Sequence, residues 1–296
     1  MDADLRTLRA FAAVVREGGL TRAAARLHLS QPALTKRIAR LEADLGAVLF
    51  HRTRAGMTPT AAGDAFAAAL PAVLDAWDRA ERDVRDAAAT ASRTLRIGFL
   101  ASAANERTQA ILADFARRRP DWRVDLRQAS WADPARELES GDVEAAFMRL
   151  PFPGQEHYHL ADLLTEPRCL ALASTHPLAG RAALRFADLL DEPFVAAPPE
   201  TGAFRDHWLA TEARGGRPAR IGAVTGQPDE WLSAIASGAG IALAPESAAR
   251  YYARPGVVYL PLEGVAPSTV ALAWSRTAPT SDALVDFISA AMASAE

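Results

Sequence analysis

The 296-residue sequence predicts an α/β protein with a helical head. Three observations lead there. Up to Leu45 the apolar residues recur at helical spacing, in three short blocks. From Ala61 to Arg85 a longer helical pattern follows. After Arg93 short apolar runs alternate with helical ones, as in a sheet covered by helices.

The length suits two or three domains. No apolar run approaches the ~18 residues that a membrane span needs, so no membrane partner is expected. Cys169 is the single cysteine, which excludes an internal disulfide. The start Met1-Asp2-Ala3-Asp4 lacks the basic and apolar stretches of a secretory leader, so the cytoplasm is the expected location. Charge is unevenly divided. Residues 1–60 hold ten Arg or Lys against five acids, a net of +5, which leaves −8 on the rest of a chain whose total is −3. A basic end on an acidic body fits a polyanion partner at that end.

In the head, Leu5, Leu8, Phe11, Ala12 and Val15 form a first helix. Gly18-Gly19 ends it, because glycine tolerates the left-handed cap. A slim helix from Thr21 to Leu27 follows, and then a turn, His28-Leu29-Ser30. Ser30 is a good N-cap, and Pro32 sits in the first turn, where its missing N–H costs nothing. In the third helix Leu34, Ile38, Leu41 and Leu45 make the buried stripe. Gln31, Thr35, Lys36 and Arg40 lie off it, on a polar, basic face that precedes Glu42 and Asp44. Lys36 is the only lysine in the chain. Such a face either is simply solvated or enters a DNA major groove, where Gln, Thr and basic side chains read base edges. The short helix and tight turn before it favour the groove. Leu49 to Thr53 reads as a strand turning through Gly56. Arg52 and Arg54 are then placed at the tip of a wing that touches phosphates or the minor groove.

The segment Leu8 to Phe50 resembles the N-terminal domain of LysR-type transcriptional regulators. Its signature runs Ala23-Ala24-Ala25-Arg26-Leu27-His28-Leu29-Ser30-Gln31-Pro32-Ala33-Leu34-Thr35. It continues through Ile38-Ala39-Arg40-Leu41-Glu42-Ala43-Asp44-Leu45-Gly46 and Leu49-Phe50-His51-Arg52-Thr53. The resemblance implies double-stranded operator DNA as partner. It makes Thr21, Ser30, Gln31, Pro32, Thr35, Lys36, Arg40, Arg52 and Arg54 the candidate contacts. One departure follows the wing. The family usually has Leu-Thr-Pro before Ala-Gly, whereas this chain has Pro59-Thr60-Ala61-Ala62-Gly63, so the next helix starts differently.

Phe66, Leu70, Val73, Trp77 and Val84 lie near a 3-4 repeat, which suits a long helix paired with a second subunit or packed within its own. The resemblance implies the first, a linker that makes a homo-oligomer, dimer or tetramer. Pro71 inside it is expected to kink the rod, and Ala87 to Ser92 reads as a hinge.

Beyond Arg93, strands are expected at 95–99, 124–127, 143–148, 168–173, 221–225, 241–243, 257–260 and 270–274. Helices are expected at 105–118, 134–139 and 281–292, around a parallel sheet. No catalytic set is visible: Gly-x-Ser-x-Gly, a Walker loop and His-Glu-x-x-His are all missing. Gly238-Ala239-Gly240 precedes a strand and is no dinucleotide fingerprint. His157 and His159 read as a surface loop, and no metal or cofactor is expected.

This half resembles the effector domain of the same family, two α/β lobes related to periplasmic binding proteins. The resemblance divides the chain into 1–60 (winged head), 61–90 (linker) and 91–296 (effector domain). Lobe I then takes 93–165 and 267–296, and lobe II takes 166–266. It implies a small-molecule effector between the lobes, and the pattern is most like the branch that senses aromatic-pathway carboxylates. The implied contacts are Leu100, Ser102, Ser130 and Arg149 from lobe I, with Thr201, Phe204 and Gln227 from lobe II. Hydroxyls and free N–H groups at helix starts suit a carboxylate. Ser102 and Ser130 are equally good helix caps, and Arg149 equally suits a lobe junction. A solute-binding protein would share the two lobes, but not the basic head.

Overall fold

The computed structural model describes residues 4–53, 56–103 and 106–294. Two compact units emerge, residues 1–84 and 85–296.

The first unit opens with α1 (Leu5–Glu17). Asp4 caps its start by accepting from the Thr7 N–H at 2.7 Å, and Gly18, at φ +62°, ends it. Then come α2 (Leu20–Arg26), α3 (Gln31–Leu45), β1 (Phe50–Thr53) and β2 (Gly56–Pro59), with β1 and β2 antiparallel. Leu34, Ile38 and Leu41 of α3 are buried against Phe11, Val14, Ala23 and Ala24. The alanines of α2 thus allow three helices to close on a small core. Phe11 ties the parts together: its ring lies 5.0 Å from Phe50 in the wing and 4.9 Å from Phe66 in the following helix. Glu42 accepts from the N–H groups of Leu49 and Phe50 at 2.8 and 3.3 Å, fixing the wing to α3.

The linker helix α4 is Ala61–Ala91. Its start explains the departure at Pro59-Thr60-Ala61-Ala62-Gly63. Thr60 caps it, accepting from Gly63 N–H at 3.0 Å and donating to the Val48 carbonyl at 2.7 Å. Gly63 is required there, since a Cβ would lie 2.1 Å from the Leu49 carbonyl oxygen. The helix continues through Pro71 and, contrary to the expected hinge at 87–92, remains helical to Ala91. The alanines of 87–91 are strong helix formers, which outweighs their smallness as a hinge signal. Phe66 and Leu70 join the core of the head, while Val73, Trp77 and Val84 stay exposed.

In the second unit, β3 (Thr94–Leu100), α5 (Glu106–Arg118), β4 (Arg123–Ala129), α6 (Arg136–Glu139), β5 (Ala145–Leu150) and β6 (Tyr158–Glu166) build lobe I. Lobe II contains β7 (Arg168–Ala173), β8 (Leu184–Arg185), β9 (Pro193–Ala196), α7 (Ala203–Trp208) and β10 (Arg220–Val224). It goes on through α8 (Pro228–Ala236), β11 (Ala242–Pro245), α9 (Ala248–Tyr251) and β12 (Val257–Glu263). The chain returns to lobe I as β13 (Ser268–Ser275) and α10 (Asp282–Ala293).

The sheets are mixed rather than parallel. Lobe I has the order β4-β3-β5-β13-β6, with β13 antiparallel to both neighbours. Lobe II has the order β11-β7-β12-β8, with β7 antiparallel to β11 and β12, beside a parallel β9–β10 pair. A strand that returns from the other lobe runs against those that left, which breaks the uniform direction of simple βα repeats. His157 ends a short, exposed 3-10 turn, as a loop residue would, whereas His159 lies at the start of β6, where it packs on Trp274 at 5.4 Å. Phe115 and Phe287 bring α5 and α10 together over the lobe I core. Along β7, Leu170 and Leu172 enter one core while Cys169 and Ala171 enter the other, the period-2 alternation of a strand buried on both faces.

Candidate functional site

Each unit presents one candidate surface. In the head, Gln31, Pro32, Lys36 and Arg40 are exposed along α3 and Thr35 is half-buried. Ser30 spends its hydroxyl on the helix cap, accepting from Ala33 N–H at 3.3 Å. Thr21 donates to the Gln31 side-chain oxygen at 3.4 Å, orienting an amide that would otherwise turn freely. Thr35 donates back to the Gln31 carbonyl at 2.9 Å. Arg40 approaches Asp44 at 4.0 Å, so a carboxylate touches the far end of this face after all. Arg54 and the side chain of Arg52 lie outside the described residues. Just behind, Arg22 donates to the Glu17 carbonyl at 3.0 Å and ties the end of α1 to α2.

The second surface is a cleft in the two-lobed unit. About 550 Å3 of space, including its open mouth, lies between Trp131 of lobe I and Phe204, Trp208, Thr225, Trp231 and Tyr252 of lobe II. Aliphatic residues of β9 and β11 complete the walls. Trp131 and Trp231 meet edge to face at 6.0 Å, and Phe204 and Trp208 at 6.2 Å. No charged side chain lines this cleft among the described residues. Two of its polar atoms, the Trp131 indole Nε1 and the Thr225 Oγ1, are buried without a hydrogen-bond partner.

Beside the cleft the lobes are clasped by hydrogen bonds. Ser130 Oγ donates to the Gly226 carbonyl at 3.4 Å and accepts from Gln227 Nε2 at 3.3 Å. It also accepts from Ala132 N–H at 3.1 Å, and Trp131 N–H donates to the Gly226 carbonyl at 3.2 Å. Ser130 and Gln227 are therefore brought together, and Phe204 lines the cleft. Thr201 is buried two residues before α7 and donates to the Pro198 carbonyl at 2.7 Å. Leu100 is buried at the end of β3, and Ser102 lies in a single 3-10 turn just after it, its side chain outside the described residues.

Arg149 does not line the cleft. It is fully buried on β5, donating to Glu166 at 2.6 Å and to Ser268 Oγ at 3.1 Å. Glu166 in turn accepts from Ser247 N–H at 2.7 Å and from its hydroxyl at 3.0 Å. Burial lowers the Arg149 pKa, and the Glu166 charge opposes that shift. The group ties β5, β6, β13 and the start of α9 together where the chain crosses between lobes. Arg168 does the same at the other side, bonding Ala266, His207 and Glu212.

Sequence reasoning missed Trp131, Trp208, Thr225, Trp231 and Tyr252. Trp131 directly follows Ser130, and Trp231 is one turn into the helix after Gln227, so their nearness to those two residues is the signal the sequence carries. Thr225 and Tyr252 gave none.

Comparison with known proteins decides the family. Residues 5–64 match the bacterial regulatory helix-turn-helix protein, lysR family, and residues 88–295 match the LysR substrate binding domain. The chain belongs to the LysR family of transcriptional regulators. It is similar to BudR of Raoultella terrigena, an HTH-type transcriptional regulator, at 31% identity over 92% of this chain and 95% of that one. It is likewise similar to HcaR of Escherichia coli, the Hca operon transcriptional activator, at 30% identity over 96% of each. Among solved structures it resembles full-length BenM, with TM-score 0.54 and 25% identity over 97% of this chain and 95% of that one. This LysR-type regulator is therefore a DNA-binding protein with an effector-binding domain, and its relatives are regulators rather than enzymes. None of its described helices is long and apolar enough to cross a membrane.

Proposed function

We propose that this regulator reads operator DNA with the Gln31–Arg40 face of α3 and answers to an aromatic carboxylate held in the cleft beside Ser130. The observation that carries the first half is the exposed, cationic face of a capped helix whose opposite stripe is buried. Thr21 holds Gln31 for a base edge, Thr35 and Lys36 continue along the groove, and the wing residues Arg52 and Arg54 meet the backbone. Ser30 and Pro32 set the start of the helix. Arg40, half-neutralised by Asp44, acts on phosphate more than on bases.

For the second half, the Gln227 amide, the Ser102 hydroxyl and, once released from the Gly226 carbonyl, the Ser130 hydroxyl supply donors for a carboxylate, and Phe204 with the tryptophans covers a ring. Thr201 and Leu100, the other contacts that the resemblance implies, are buried outside the cleft lining. Arg149 serves the lobe junction instead of the effector. The protein works in the cytoplasm as a dimer or a pair of dimers joined through α4.

Fluorescence anisotropy on the promoter region of its own gene tests the DNA reading. Gln31→Ala should relax base preference by about 1–3 kcal/mol. Arg52→Ala or Arg54→Ala should weaken binding to all duplexes alike and lower the salt slope by about one. Equal affinity of the wild type for that region and for random duplex would overturn the reading.

A further inference from the structure

The cleft holds two features that a plain aromatic acid leaves unused. Trp131 Nε1 and Thr225 Oγ1 are both buried without a partner, in a wall otherwise made of rings and aliphatic side chains. Thr225 is more than nine-tenths buried. A buried donor left unsatisfied is destabilising, and native structures rarely tolerate one away from a functional site. Nothing in the packing requires either group. A valine has the shape of Thr225, and a phenylalanine would keep much of the Trp131 contact with Trp231. The two atoms also come from different lobes, Trp131 following β4 and Thr225 following β10.

The chemistry of the missing partner follows from the two groups. An indole N–H only donates, so the ligand must present an acceptor to it. A hydroxyl both donates and accepts, so a hydroxyl or carbonyl oxygen satisfies Thr225 as well. No cation lines the cleft among the described residues, and a second carboxylate buried there would go uncompensated. We propose that Trp131 and Thr225 are specificity determinants. They select a single-ring aromatic acid that bears an uncharged oxygen substituent, hydroxyl or carbonyl, on the ring away from its carboxylate. This rests on the cleft being the effector site. It adds which effectors the site prefers and which two side chains enforce the preference, and it makes the substituent a bridge between the lobes.

Titration of the full chain with benzoate, 4-hydroxybenzoate and terephthalate, read by quenching of the cleft tryptophans and by calorimetry, tests it. In the wild type 4-hydroxybenzoate should bind about tenfold more tightly than benzoate, the worth of one added hydrogen bond. Terephthalate should bind more weakly than both. Thr225→Val and Trp131→Phe should each pull the 4-hydroxybenzoate to benzoate ratio toward one. A purely structural role for either residue would shift both affinities and leave that ratio alone. Thr225→Val removes only an unpaired hydroxyl, so folding of that variant is secure. If benzoate and 4-hydroxybenzoate bind equally, or if both variants keep the wild-type ratio, the selection is refuted while the cleft reading stands. Terephthalate binding as tightly as 4-hydroxybenzoate refutes it too. If none of the three binds, the cleft reading falls and takes the selection with it.

Discussion

His207 shows how a single side chain carries a pH dependence. Its imidazole is packed against Trp208 with Nε2 buried and unpartnered, and its backbone carbonyl accepts from Arg168. Burial, aided by the nearby Arg168 charge, pushes its pKa from 6.5 down to about 4. Between those two values the unfolded chain binds a proton that the folded chain refuses, so stability rises with pH across that window. The contribution is complete above the ordinary histidine range and is lost as the solution is acidified toward the depressed value. Urea midpoints of the wild type should therefore drop from pH 7 to pH 5 more than those of His207→Gln; parallel curves would refute this account. Arg149 makes a second prediction at the same scale. Arg149→Met strands the Glu166 carboxylate in the junction, where breaking a buried pair costs about 3–5 kcal/mol. Chemical denaturation should show that loss, and a variant of unchanged stability would show that Glu166 finds water or another donor.

Among the elements, legibility followed the strength of the local pattern. The stripe Leu34-Ile38-Leu41-Leu45 and the cap Ser30 marked α3 and its true start, because helix periodicity and cap chemistry agree there. By contrast, β6 alternates Asp162 and His159 among its leucines at a lobe boundary, with one register shift against β13, and it is absent from the expected strands. The short β9 and α7 offered too few residues for a period. The cleft was legible only in part, since Trp131, Trp208, Trp231 and Tyr252 are far apart in sequence and converge only through the crossing of lobes. The linker helix yields a prediction of its own. Val73, Trp77 and Val84 are 51%, 46% and 70% exposed, at spacings of four and seven that share one face. An aromatic anchor in such a seam carries a large share of association energy. Trp77→Glu should therefore raise the dimer dissociation constant at least about tenfold by sedimentation. An unaltered sedimentation profile would place the dimer contact elsewhere.

Over the whole molecule, the two units bury separate cores. The head closes around Phe11, Leu34 and Leu41, and the lobes close around their own sheets. The charge is also uneven, with the basic excess on residues 1–60 and the acidic excess beyond, so residues 61–84 of the first unit already belong to the acidic part. DNA affinity and effector response are then properties of different regions that a substitution can separate. Ser130→Val tests this. It removes the hydroxyl proposed above to meet the carboxylate, which also bonds Gly226 and Gln227 of the other lobe. The variant should bind promoter duplex with the wild-type affinity and salt slope, because the DNA contacts proposed above all lie in the head. Adding 4-hydroxybenzoate should shift the binding curve of the wild type and leave that of the variant in place. If the variant instead loses DNA affinity outright, Ser130 holds the fold of the effector domain and its part in sensing is void. If it responds as the wild type does, the carboxylate is held by other donors, and Ser102 becomes the next residue to replace.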